Sequence, residues 1–145
     1  MFLGNYTQKL NIKKGRTAVP AKFRSLLGKK AIITKGYEGS LILVSLISWK
    51  KVTEDIANKN LLSGPSRSAD RFLLGNAFEI KLDKQGRFII PVGLRNHAKL
   101  GKEIIFAGVG NKIEIWEKQS WEKQQKYLTE NIAQISEKLD EKPSQ

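Results

Sequence analysis

Gly15-Arg16-Thr17-Ala18-Val19-Pro20-Ala21-Lys22-Phe23-Arg24 returns later in the chain as Gly86-Arg87-Phe88-Ile89-Ile90-Pro91-Val92-Gly93-Leu94-Arg95. One offset of 71 residues takes position 16 to 87, 20 to 91 and 24 to 95. Working outward, Leu27-Gly28-Lys29 is answered by Leu100-Gly101-Lys102, and Ser48-Trp49 by Ser120-Trp121. A fixed period with residue identities marks a duplicated supersecondary unit, one copy of which cannot bury its apolar face alone. Each copy sets an arginine, Arg16 or Arg87, between a glycine turn and a short apolar run. The repeated element is therefore a candidate working surface as well as a folding unit.

The order of elements within one copy follows from its punctuation. Tyr6 to Leu10 predicts a short strand, Lys13-Lys14-Gly15 its turn, and Arg16 to Val19 the return strand. Pro20 stands where a helix can start, because the missing N–H is not needed at the first helical position. Ala21 to Leu27 then predicts two helical turns, stopped by Gly28. Ala31 to Thr34 and Leu41 to Val44 are β-rich runs around Gly36-Tyr37-Glu38-Gly39, a hairpin loop with two glycines. In the second copy, Phe78 to Leu82 and Arg87 to Ile90 predict strands and Pro91 to His97 a helix. Ile104 to Phe106 and Ile113 to Trp116 are strands flanking Gly110-Asn111.

Each copy is followed by an amphipathic stretch. Ser45 to Lys59 carries Leu46, Trp49, Val52 and Ile56 on one face. Gln119 to Leu139 does the same with Trp121, Leu128, Ile132, Ile135 and Leu139. Ser63-Gly64-Pro65-Ser66 reads as a break, Ser68 to Leu74 as a short helix, and Pro143-Ser144-Gln145 as a frayed end. The apolar stripes are expected to be core or subunit contact. The predicted organisation is a first repeat with its helix over 1–60, a connecting segment over 61–76, a second repeat over 77–125 and a helical tail over 126–145. The two repeats are expected to form one compact α+β, β-rich domain.

Composition narrows the function. The 145 residues contain no cysteine, which excludes a disulfide framework and a thiolate metal site and permits a reducing cytosol. The opening Met1-Phe2-Leu3-Gly4-Asn5-Tyr6 lacks the basic start and long apolar run of a signal peptide. No stretch approaches the roughly 18 apolar residues of a membrane span. No cofactor, metal or small-molecule ligand is expected, and a cytoplasmic, nucleoid-associated location is. The net charge of +12 points to a polyanionic partner. That charge is lopsided. Residues 1–75 hold 14 Lys or Arg against four acids, residues 76–145 hold 12 against ten, and residues 1–35 hold nine basic residues and no acid. The first copy is expected to face phosphates, the second to be chiefly its structural twin.

A turn projecting Arg16 beside Lys13 and Lys14 can neutralise several phosphates, each releasing counterion. Arginine can also bond a guanine edge bidentately. Lys13, Lys14 and Lys9 suit positioning on the backbone rather than base reading. Lys22 and Arg24, on the short helix after Pro20, are further candidates for DNA contact, as are Arg87 and Lys84 in the second copy. Asp83, four residues before Arg87, allows a second reading in which an Asp–Arg pair braces that turn. Arg95 suits surface or interface.

Leu82-Asp83-Lys84-Gln85-Gly86-Arg87, running into Phe88-Ile89-Ile90-Pro91 and Leu94-Arg95, resembles the signature of the MraZ family. The Met1-Phe2-x-Gly4 opening and the block from Gly108 to Trp116 are similar to that family too, and the likeness covers roughly residues 1–125. It implies a bacterial transcriptional regulator of the division and cell-wall gene cluster. It also implies two SpoVT/AbrB-like halves of the swapped-hairpin type, related by a pseudo-two-fold, assembly into a homo-oligomeric ring, and binding to tandem double-stranded DNA repeats in its own promoter region. The family's functional motif, Asp-x-x-x-Arg, falls on Asp83 and Arg87. The first half departs from it: Ile12 stands four before Arg16 and Asn11 five before, so one extra residue lies in that turn.

Other classes are less well served. His97 sits near the end of the second short helix, where capping or packing suits it better than catalysis. Gly108-x-Gly110 lacks the rest of a dinucleotide fingerprint, so the chain is not read as an enzyme. An AbrB-like antitoxin usually carries one copy of the unit and dimerises, whereas both copies occur here in one chain. A basic RNA-binding protein stays open, although no aromatic stacking platform is evident.

Overall fold

Pro20 and Pro91 each cap a short helix at equivalent places in the two repeats, with extended backbone (ψ 139° and 141°) that turns the chain from strand to helix. The computed structural model describes residues 1–57 and 62–140. Its elements in order are β1 (Phe2–Lys9), β2 (Arg16–Ala18), α1 (Ala21–Leu27), β3 (Lys30–Lys35), β4 (Leu41–Ser45), α2 (Leu46–Ala57) and α3 (Gly64–Leu73). There follow β5 (Phe78–Lys81), β6 (Arg87–Ile89), α4 (Val92–His97), β7 (Glu103–Gly110), β8 (Ile113–Glu117) and α5 (Lys118–Asp140). The architecture is α+β and β-rich.

Six strands form one antiparallel sheet in the order β1-β7-β8-β4-β3-β5. With the repeats exchanged, so that β1 stands for β5, β3 for β7 and β4 for β8, the order reads the same backwards. The first strand of each repeat thus pairs with a strand of the other: β1 with β7 from Phe2↔Gly110 to Lys9↔Glu103, and β5 with β3 from Phe78↔Ile33 to Lys81↔Lys30. The two remaining strands also pair across the repeats. β2 and β6 make a separate two-stranded ribbon in the register Arg16↔Ile89, Thr17↔Phe88, Ala18↔Arg87.

This corrects the expectation that Arg16 to Val19 returns along Tyr6 to Leu10. Locally only an isolated bridge joins Asn11 to Arg16. Beyond it the chain leaves β1, and the amide of Val19 bonds instead to the Gly86 carbonyl at 2.8 Å. The matching bond, from the Ile90 amide to the Gly15 carbonyl, is 2.9 Å. Both strands are too short to be stable alone, and each finds its missing partner in the other's identical need for one.

The core lies between the sheet and the two short helices. Ile33, Leu41, Leu43, Ile104, Phe106, Ile113 and Ile115 of the sheet are fully buried with Val19, Leu27, Ile90 and Leu94. Phe23 of α1 meets Phe2 and Tyr6 of β1 edge-on at 5.5 and 5.3 Å. Apolar burial at about 25 cal/mol per Å² makes this shared core the main force joining the repeats.

Several boundaries move for visible reasons. β1 starts at Phe2 rather than Tyr6, and β7 runs on to Gly110, because the two strands support each other along their whole length. The break read at Ser63–Ser66 is instead the start of α3. The Ser63 hydroxyl accepts from the Ser66 amide at 3.3 Å, and Pro65 occupies the first turn, where its missing N–H costs nothing. The last residues of the stretch Ser45 to Lys59 and the end at Pro143–Gln145 lie outside the described residues. No helix among the described residues is long and apolar enough to cross a membrane.

Candidate nucleic-acid interface

The β2–β6 ribbon has two faces. Thr17 and Phe88, opposite each other, point inward and are buried. Arg16, Ile89 and Arg87 point outward and are exposed, with half-exposed Ala18 opposite Arg87. Cross-repeat pairing thus sets Arg16 and Arg87 on one surface, as diagonal neighbours in a two-stranded ribbon. Two shallow clefts flank them, of about 390 and 360 Å³; both are lined by Arg16 and Arg87. Lys9 and Asn11 border one cleft, and Glu79, Lys81 and Asp83 the other.

The two turns that present these arginines are alike in outline. Gly15 and Gly86 both lie at positive φ, 70° and 75°, which a side chain would strain. Each glycine is also covered by an arginine of the other repeat: Arg95 lies over Gly15 and Arg24 over Gly86. These arginines donate from Nε to the carbonyl just before their own helix, Arg24 to Val19 at 2.8 Å and Arg95 to Ile90 at 2.9 Å.

In the second turn Asp83 organises the chain. Its Oδ1 accepts from the amides of Gln85 and Arg87, both at 2.9 Å, and its Oδ2 from Arg87 Nε at 2.7 Å. In the first turn Asn11 holds the corresponding place, one residue farther from its arginine. Its amide bonds to the Arg16 carbonyl at 2.9 Å as the Asp83 amide does to the Arg87 carbonyl at 3.1 Å. Among the described residues its side-chain Oδ1 accepts only from the Lys14 amide, at 3.1 Å.

The amide of Arg87, its guanidinium and the amide of Gln85 together hold the Asp83 carboxyl below its ordinary value of 3.8. A depressed acid stabilises the turn above the unfolded pKa and ceases to do so as pH falls through the lower folded value. The second turn should therefore stay ordered on acidification until below about pH 4, and Asp83→Asn should remove that dependence. Amide chemical shifts of Gln85 and Arg87, followed down to about pH 2, check this. A wild-type turn that shows no titration there would refute the brace.

The other residues singled out from sequence fall in several places. Lys13 and Lys14 are exposed in the first turn and Lys9 at the end of β1, on the side of Arg16. Lys22 is exposed on α1. Lys84 is exposed in the second turn and shares a separate cleft with Arg24 and Lys29. Arg24 is half-buried, its Nε committed to Val19. His97 packs edge-on to Phe72 at 6.1 Å, and its buried Nε2 has no hydrogen-bond partner among the described residues. Sequence reasoning passed over Ile89 and Lys81. The alternation Arg87-Phe88-Ile89 would have placed Ile89 outward, but nothing local brings Lys81 to Arg16.

A family model described as "MraZ protein, putative antitoxin-like" matches the chain twice, over residues 1–72 and 73–142. The chain belongs to the MraZ family. Proteins named transcriptional regulator MraZ resemble it over nearly their whole length. That of Caldanaerobacter subterraneus subsp. tengcongensis is 41% identical over 140 residues, 97% of either chain. That of Thermoanaerobacter sp. strain X514 is 40% identical over 141 residues, 97% of this chain and 98% of the relative. That of Pediococcus pentosaceus is 38% identical over 139 residues, 96% of each. MraZ proteins are named as regulators of transcription and not as enzymes.

Proposed function

We propose that this MraZ protein is a sequence-specific DNA-binding regulator that grips duplex DNA with the β2–β6 ribbon. The single observation that carries the reading is the pairing that puts Arg16 and Arg87 on one exposed face. The major groove admits a two-stranded ribbon, and there arginine can take a guanine edge while an exposed apolar side chain such as Ile89 meets a thymine methyl. Lys13, Lys14 and Lys9 fit phosphates beside it, steered by the acid-free first 35 residues. Lys22, Arg24 and Lys84 are more peripheral contacts. The reversible strand order and the reciprocal bonds between the turns support two swapped-hairpin halves related by a pseudo-two-fold.

One ribbon offers few contacts, so tight binding calls for several at once. Helix α5 supports self-association. Its start is anchored where Trp121 meets Trp116 at 5.9 Å, while farther along Tyr127, Ile132 and Leu139 are more than half exposed. Head-to-tail contacts close a ring when the rotation fits, and a ring sets identical ribbons side by side over tandem repeats, raising their effective concentration. The family resemblance supplies the target: short repeats in the promoter of the division and cell-wall cluster, the protein's own promoter included, in the cytoplasm on the nucleoid. Footprinting on the DNA upstream of its own gene, with solution mass measured in parallel, tests this. Protection of spaced repeats by a multimer is expected. Equal binding to an RNA competitor, or protection without sequence preference, would overturn it.

A further inference from the structure

The first turn lacks the carboxylate that organises the second, yet it too closes on its arginine, with Gly15 at positive φ as Gly86 is. The replacement comes from the other end of the chain. Arg95 Nη1 donates to the Ile12 carbonyl at 3.1 Å, across 83 residues, while its Nε holds Ile90. Ile12 directly follows Asn11, which holds the place of Asp83 in this longer turn. The guanidinium also covers Gly15 so closely that a β-carbon there would lie 2.7 Å from Arg95 Cζ. Arg24, the equivalent residue of the first repeat, covers Gly86 and bonds Val19, but makes no bond into the second turn among the described residues. That turn does not need one. Among the described residues the Asp83 side chain already accepts three hydrogen bonds, where that of Asn11 accepts one.

We propose that Arg95 is a positioning residue for DNA binding: from the second repeat it fixes the loop that presents Arg16, replacing the missing carboxylate of the first. The planar guanidinium donates from two separate nitrogens in a fixed fork, Nε to Ile90 and Nη1 to Ile12, whereas a lysine has a single nitrogen and no such fork. Two identical-looking arginines in the two repeats thus carry different loads. Arg95 serves the contact surface and Arg24 serves chiefly the packing of the opposite turn. This rests on the reading that Arg16 contacts DNA.

The test is a thermodynamic cycle on the full-length protein, read by titrating a duplex that carries the upstream repeats at several salt concentrations. Arg95→Ala is expected to weaken binding roughly tenfold, the equivalent of one charge-assisted hydrogen bond. The slope of log affinity against log salt should stay at the wild-type value, because no phosphate contact is lost. Lys13→Ala, which gives up a phosphate contact, should by contrast reduce that slope by about 0.9. In the Arg16→Ala background the further loss from Arg95→Ala should nearly vanish, since residues acting as one unit are not additive. Arg95→Lys keeps the charge and an aliphatic stem while losing the planar group over Gly15, and decides the matter if the alanine variant does not fold: weakened binding at an unchanged melting temperature is expected. A reduced salt slope in Arg95→Lys, full additivity with Arg16→Ala, or wild-type affinity in both Arg95 variants would overturn the proposal. If the wild-type protein fails to bind duplex DNA, the DNA reading falls, and amide exchange then judges the brace by itself. Faster exchange at Lys14 and Gly15 in Arg95→Lys but not in Arg24→Lys upholds it; equal exchange in the two refutes it.

Discussion

Arg16→Ala is expected to lower affinity for duplex repeats by roughly one to two orders of magnitude per occupied ribbon, the range of a lost bidentate base contact. In an assembly that engages several repeats the loss multiplies, because each subunit gives up the same contact. The fold should be indifferent. Arg16 is exposed, no ion pair involving it is among those the structure shows, and its backbone bond to Asn11 does not depend on the side chain. Arg87→Ala provides the control on the same surface. Its pair with Asp83 is 2.7 Å long but roughly half exposed on both sides, and such surface pairs contribute about 1 kcal/mol or less. Asp83 keeps its bonds to the amides of Gln85 and Arg87 when the guanidinium is gone. Arg87→Ala should therefore weaken DNA binding with little change in melting temperature, by less than Arg16→Ala because the Asp83 carboxylate offsets part of its charge. Equal affinity of wild type and Arg16→Ala, by anisotropy or gel shift, would remove the ribbon from the interface.

What the sequence could reveal was whatever lies close along the chain. The repeat, the proline starts of α1 and α4, the glycine turns and the amphipathic α2 and α5 all follow from neighbouring residues. The partners of the strands do not. Arg16-Thr17-Ala18 is short and polar enough to read as the return arm of a local hairpin, and only the reciprocal demands of Gly15 and Gly86 send it to β6 instead. The electrostatic division of labour between the repeats shifts for the same reason. Counting charges along the chain separates a basic first copy from a balanced second, whereas the ribbon combines one arginine from each. Asn11 illustrates a subtler gap. Its spacing of five from Arg16 and the additional residue in the turn are visible in the sequence, but only the fold shows its amide bonding Arg16 as that of Asp83 bonds Arg87. Sequence alone makes Arg24 a candidate for DNA contact and Arg95 a surface or interface residue, and nothing local shows that each lies over the other repeat's glycine.

Phe88→Ala is expected to be strongly destabilising while leaving every surface charge in place. Phe88 is 4% exposed, points inward from β6 and meets Phe106 edge-on at 6.5 Å. Through that contact the ribbon bearing Arg16 and Arg87 is seated on the six-stranded sheet. Opposite it in the ribbon is Thr17, its counterpart in the first repeat, whose hydroxyl reaches the Lys9 carbonyl at 2.9 Å. The seat is thus filled by one large apolar side chain from the second repeat and one small satisfied polar one from the first, leaving no second aromatic to close the void. Truncating a buried phenylalanine costs about 3–5 kcal/mol, a large share of the roughly 5–15 kcal/mol that keeps a domain folded. For a chain of this length the melting temperature should drop by roughly 10 °C. Thr17→Ala, which loses one partly buried hydrogen bond, should cost only about 1 kcal/mol. Well below its melting point the Phe88→Ala protein should still bind DNA with the wild-type salt slope but more weakly, because the arginines are present and their platform is loosened. Calorimetry and duplex titration separate the two effects. An unchanged melting temperature would mean that the ribbon is held by its cross-repeat hydrogen bonds alone, and that the aromatic contact beneath it carries no weight.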